Sequence, residues 1–287
     1  MFDFRYHIIS LVAVFLALGM GILVGTMIGE KGAVSQPQKA LVERIEADFG
    51  QLRAENRLLN EQNQANEKFQ RAVLPVLISG QLVQKNVALV VTTSLDPSIQ
   101  KVLANVFEMA GGRLVSTTTL APHLALDKKE NVEKVNALLG VTGLPLRQLK
   151  GRVLGEIAKQ LVTGQNPKFI GDLAGAGIIG TDGAYDIAVN AVVVVGGAEE
   201  NKKDDPETID IPLMKALLEF NIQVVGAETT KVKVSYMPIY QRTGIATVDN
   251  IDSPIGEISL VYALKGERGN FGIKSTAQQA VPPLVRR

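Results

Sequence analysis

The chain has 287 residues, with 30 Lys and Arg against 29 Asp and Glu, a formal net charge of +1 and a mean hydropathy of +0.15. So even a balance gives no strong basic field and excludes nucleic-acid binding of the electrostatic kind. There is no cysteine, which excludes disulfides, thiolate metal sites and cysteine nucleophiles.

Residues 8–28 carry no charge, and their only polar side chains are Ser10 and Thr26. As a helix this run spans roughly 30 Å, the thickness of a bilayer hydrocarbon core. A single run satisfies its backbone groups in lipid only as a helix. Residues 1–30 therefore read as a single transmembrane anchor. A cleavable signal peptide has an apolar core of about 7–15 residues that ends in a small-x-small cleavage site. Here the run is longer, its small residues lie inside it, and it leads into a polar helix.

Ala13, Ala17, Gly21, Gly25 and Gly29 recur every four residues, which keeps them near one helix face. Small residues in register let two membrane helices approach closely, so the stripe predicts self-association. Met20 and Met27 are seven apart and share a side of the helix. Thioethers suit monovalent copper, although packing or lipid contact is the more ordinary role of such methionines.

Residues 35–74 read as a parallel coiled coil. A heptad register places Val42, Phe49, Asn56, Asn63 and Gln70 at a, and Ile45, Leu52, Leu59, Asn66 and Val73 at d. The first half is apolar at both positions. A buried Asn at a fixes register and favours two strands. Asp48 at g and Arg53 at the following e attract across a parallel pair. The alternative is a solitary amphipathic helix packed on its own domain. Pro75 predicts a stop near Leu74.

Residues 85–265 read as a three-layer α/β domain on a mostly parallel sheet. The apolar run 86–91, a helical pattern over 97–109 and a second run over 114–119 make one strand-helix-strand passage. Residues 190–195, 211–220 and 222–225 make another. Uninterrupted β-branched strands alternating with helices predict a sheet covered on both faces. They lack the apolar-polar alternation of a membrane barrel. Residues 146–161 read as an amphipathic helix and 257–264 as a helix. Residues 204–206 read as a polar loop. Residues 266–287 read as an irregular, partly disordered tail. Met109, Met214 and Met237 read as core.

Chemistry-bearing motifs are few. Gly175, Gly177 and Gly180 spell GxGxxG, with Glu199 and Glu200 about twenty residues on. A dinucleotide site needs that motif to leave a strand and open a helix. Here a strand read over 186–195 follows it and none precedes it, so a small-residue helix packed on the sheet is the preferred reading. His7 and His123 have no partner at metal-ligand spacing. Asp249 and Asp252 read as turn residues rather than cation ligands. No catalytic residue is assigned, and the chain reads as non-enzymatic.

The opening Met1-Phe-Asp-Phe-Arg-Tyr-His7, the apolar run behind it, the stretch Val248-Asp-Asn-Ile-Asp-Ser-Pro-Ile-Gly256, and Gly269-Asn-Phe-Gly272 resemble the mycobacterial copper transport protein B (MctB) family. The resemblance covers nearly the whole chain. It implies copper export or limited copper accumulation, and an envelope location. Some members are described as outer-membrane channel proteins, others as proteins of envelope assembly and cell separation. Arg5 before the run and Lys31, Lys39 and Arg44 after it do not fix the topology. The resemblance implies a cytoplasmic N-terminus with the bulk of the chain outside. The expected partners are membrane lipid, a second copy in a parallel homodimer and an envelope or membrane protein. Copper enters through the resemblance alone, and no resident cofactor is expected.

Overall fold

The computed structural model of the chain describes residues 4–30, 36–198 and 206–284. It divides into two compact units, Met1–Asn66 and Glu67–Arg287.

The first unit holds α1 (Phe4–Glu30) and most of α2 (Gln36–Ile78). Residues Tyr6–Met27 of α1 form one apolar stretch of 22 residues with a mean hydropathy of 2.6. The two hydroxyls in it turn back onto the helix, Ser10 Oγ donating to His7 O and Thr26 Oγ1 to Leu23 O. Neither polar group then needs water. Along α2, Arg57 pairs with Glu61 and Gln51 with Glu55, each one turn on, which supports an exposed helix.

Helix α2 runs through Pro75 to Ile78, beyond the stop expected near Leu74. The proline removes one backbone hydrogen bond and crowds the preceding turn, at a cost of about 3 kcal/mol. Leu74 and Ile78 are both buried, and Leu82 follows them into the core. Burial of each contributes about 2 kcal/mol, so packing offsets the break.

The second unit continues with β1 (Asn86–Val91), α3 (Pro97–Met109), β2 (Arg113–Leu120), α4 (Lys129–Leu139), α5 (Leu146–Thr163), α6 (Pro167–Gly175) and β3 (Ile179–Gly183). Then come β4 (Ala191–Val195), α7 (Asp210–Leu218), β5 (Gln223–Ala227), α8 (Met237–Tyr240), β6 (Ala246–Val248), α9 (Pro254–Lys265) and β7 (Asn270–Phe271). The seven strands form one sheet in the order β3-β2-β1-β4-β5-β6-β7. Every pairing is parallel except β3 against β2.

Beyond the first residue of β1, the central strands β1 and β4 are wholly apolar because both faces are covered. Ala88, Val90, Val192 and Val194 pack with Val153 and Leu154 of α5 and Leu213 of α7. Val87, Leu89, Val91 and Val193 pack on the other side with Phe107 of α3 and Leu260 of α9. The expected passages β1-α3-β2 and β4-α7-β5 are both present.

Four further expectations need correction. The glycine-rich stretch does not form one small-residue helix: α6 ends at Gly175, and Ile179–Gly183 is the antiparallel edge strand β3. The strand expected over 186–195 begins only at Ala191, because the preceding residues cap α5, with Val189 N donating to Leu161 O. Met214 and Met237 are core as expected, but Met109, at the end of α3, is exposed. The tail beyond 266 is not patternless. Asn270–Phe271 forms β7 against β6, and Phe271 is buried. Residues 199–205 and 285–287, which include Glu199, Glu200 and the last arginines, lie outside the described residues.

Candidate functional site

Strand β1 has β2 on one side and β4 on the other. The helix after β1, α3, packs on one face of the sheet, and the helix after β4, α7, on the opposite face. Loops that part in this way open a crevice at the carboxyl ends of the strands. The crevice here has a volume of 480 Å³. Thr92, Thr93 and Ser94 line it from the end of β1, Thr119 to Pro122 from the end of β2, and Gly197 and Ala198 from the end of β4. Gly177, Ile179, Gly180 and Tyr236 complete the lining among the described residues.

Beneath Thr92 lies a buried polar cluster. Asp210, in the first turn of α7, is 2% exposed. It accepts from Thr92 Oγ1 at 3.0 Å and from the Tyr240 hydroxyl. Burial, together with the Asp210 charge, pushes the Tyr240 hydroxyl well above the ordinary phenol value, so it stays protonated and donates. Gly196 makes room for this contact: a Cβ there would fall 1.9 Å from the Tyr240 hydroxyl.

The GxGxxG residues do not form a dinucleotide site. They run from the end of a helix into a strand, the reverse of the required order. Two of them, Gly177 and Gly180, nonetheless line the crevice. The amino end of α3 is closed by its own cap. Asp96 accepts from Ser98 N at 2.8 Å, and that amide holds the Asp96 carboxyl below its ordinary value.

Asp249 and Asp252 point to different tasks. The buried Asp249 accepts from Ile273 N at 2.9 Å and Lys274 N at 3.1 Å. Asp252 accepts from Thr230 N and Thr230 Oγ1. Both carboxylates fasten backbone segments rather than converge on a cation. Among the described residues no group of three or more His, Cys, Asp or Glu comes together.

On α1, Met20 and Met27 are each 63% exposed. Ala13, Ala17, Gly21 and Gly25 are exposed, and a Cβ at either glycine would meet nothing within 4 Å. The surroundings of Gly29 lie outside the described residues. On α2, Val42, Ile45, Phe49, Leu52 and Leu59 stand at the surface, and the exposed Asn56 amide donates back to Leu52 O.

The family model described as copper transport outer membrane protein, MctB, matches residues 1–282. The chain belongs to the MctB family. No curated protein matches it. The match takes in the apolar helix, α2 and every helix and strand of the α/β body of this MctB-family chain, so the three parts are one family unit.

In this MctB-family protein, sequence reasoning missed the crevice and the buried cluster. One signal was present: three hydroxyl residues, Thr92-Thr93-Ser94, directly after an apolar strand, at the sheet end where α/β sites form. Glu257 gave no signal at all. It lies in the first turn of α9, 3% exposed, with Arg71 of α2 at 3.6 Å. Its Oε1 has no hydrogen-bond partner. Burial raises its carboxyl above the ordinary 4.5 despite the opposing Arg71 charge. The folded state thus holds this proton more tightly, and the associated stability is present below the ordinary value and lost as pH rises through the raised one. Glu257→Gln is expected to raise the urea midpoint at neutral pH and to leave it nearly unchanged in acid. A midpoint gain of equal size at both pH values would refute this account.

Proposed function

We propose that this MctB-family protein is a membrane-tethered component of copper homeostasis. In this reading α1 crosses the membrane with its N-terminus in the cytoplasm, and the α/β body works on the outer side. The observation that carries it is the family match over residues 1–282, which includes the apolar stretch Tyr6–Met27. Copper is the cargo rather than a resident cofactor, and the role is non-enzymatic. Seven residues of helical rise separate Met20 and Met27 by about 10 Å along the axis. One chain therefore does not close both thioethers on a single ion, and in this reading they are separate contacts along the helix.

The chain works as a parallel dimer. Support comes from the exposed apolar a and d positions Val42, Ile45, Phe49, Leu52 and Leu59 on α2, and from the small-residue stripe of α1. Such a dimer also suits a second reading, a cell-envelope or division scaffold that recruits a membrane partner through α2 and the outer body. The exposed apolar seam is the observation that favours it.

One experiment serves both readings. Cells lacking the protein are expected to hold more copper than the parent, and the intact gene restores the parental level. Unchanged copper in the deletion would remove the copper role and leave the scaffold. In the same cells, a chain carrying Ile45→Ser and Leu52→Ser is expected to lose inter-chain crosslinking. Four seam side chains per dimer, each contributing about 2 kcal/mol when buried, represent several orders of magnitude in pairing. Undiminished crosslinking would refute the seam.

A further inference from the structure

We propose that the crevice between the ends of β1 and β4 binds an uncharged, hydroxyl-rich ligand, of the class of a short neutral oligosaccharide. Its place is the topological switch point, where open α/β sheets hold ligands. Its 480 Å³ falls within the range of small-molecule sites, about 300–1,000 Å³.

The described part of the lining points to the chemical class. No Lys, Arg, His, Asp or Glu lines the crevice among the described residues. The nearby start of α3 offers little to a phosphate: Pro97 has no N–H, and Ser98 N is taken by the Asp96 carboxylate. Behind Thr92 lies the Asp210 carboxylate, whose charge opposes an anion. A purely apolar ligand fits no better, because it would leave the hydroxyls of Thr93, Ser94 and Thr119 dry and unpaired. Each of these hydroxyls both donates and accepts, as sugar hydroxyls do. Leu120, Ile179 and Tyr236 supply apolar surface for the C–H faces of a sugar ring.

The test is calorimetric titration of the full-length protein in detergent with maltotriose, cellotriose and the fully N-acetylated chitotriose, and separately with ATP and inorganic phosphate. At least one trisaccharide is expected to bind saturably, while ATP and phosphate do not. Thr93→Val removes one hydroxyl at nearly constant shape and is expected to weaken binding about tenfold. Gly180→Phe fills the crevice from the sheet edge, where Gly180 is exposed and a Cβ would sit 3.6 Å from Thr119 Cβ. It is expected to abolish binding while the circular dichroism spectrum stays unchanged. No binding of any of the three trisaccharides overturns the proposal. So does binding that survives both substitutions, or saturable ATP or phosphate binding that Gly180→Phe removes.

Discussion

Removal of residues 1–35 is expected to move the protein from the membrane fraction to the soluble one. Residues 8–27 contain eleven Leu, Ile, Val and Phe. On an insertion scale of about −0.3 to −0.6 kcal/mol for each such residue, they favour the bilayer by about 5 kcal/mol. That is more than a thousandfold in partition. The remaining described residues hold no second helix long and apolar enough to span, and the second unit has its own two-sided core. The shortened chain should therefore stay folded, with an unchanged circular dichroism spectrum of its α/β body. Fractionation of washed cells is the measurement. A shortened chain that remains with the membrane would show that another element anchors it. An intact gene whose mature product is soluble and lacks its first thirty residues would show that α1 is a cleaved leader. Either result removes α1 as the tether on which the proposed role depends.

Lys274→Met is expected to destabilise the α/β body by about 3–5 kcal/mol, the cost of leaving a buried charge without its partner. Glu228, just beyond β5, is fully buried. Its carboxylate accepts from Ser235 Oγ at 2.8 Å, Tyr236 N at 3.1 Å and Lys274 Nζ at 2.8 Å. Lys274 also donates to Thr229 O. Without the ammonium, the carboxylate keeps its two neutral donors but faces a low-dielectric interior. The double variant Glu228→Gln with Lys274→Met removes the charge as well. The new side-chain amide would keep an oxygen for the Ser235 and Tyr236 donors, so the double variant should recover much of the loss. Urea unfolding of the parent, the single variant and the double variant shows how much is recovered. A single-variant cost below about 1 kcal/mol would mean that water reaches Glu228 and screens it, as at an exposed pair.

Both results turn on parts of the chain that differ in how plainly the sequence announces them. The bounds of β1 and α3 were legible residue for residue. The valine-rich apolar run of β1 is short enough for a covered strand and too short for an ordinary helix, and Asp96-Pro97 is a strong helix start. Strand β3, by contrast, reads Ile-Gly-Thr-Asp-Gly and has no hydrophobic pattern. It is a strand because β2 offers it a row of hydrogen bonds. Strand β7 has two residues and exists because its place against β6 was already set. Lys274 and Glu228 are 46 positions apart, and nothing local links them.

Local patterning was enough to specify the apolar span, the long helix behind it and the two strand-helix-strand passages. Each is written in the periodicity of neighbouring side chains, and burial enforces that periodicity locally. Which strand ends meet was settled by the folded arrangement alone. That arrangement sets where Thr93, Thr119 and Gly180 share one crevice and where Asp210, Glu228 and Asp249 find their partners. Those contacts join residues far apart along the chain, and strand order, which no local pattern encodes, brings them together.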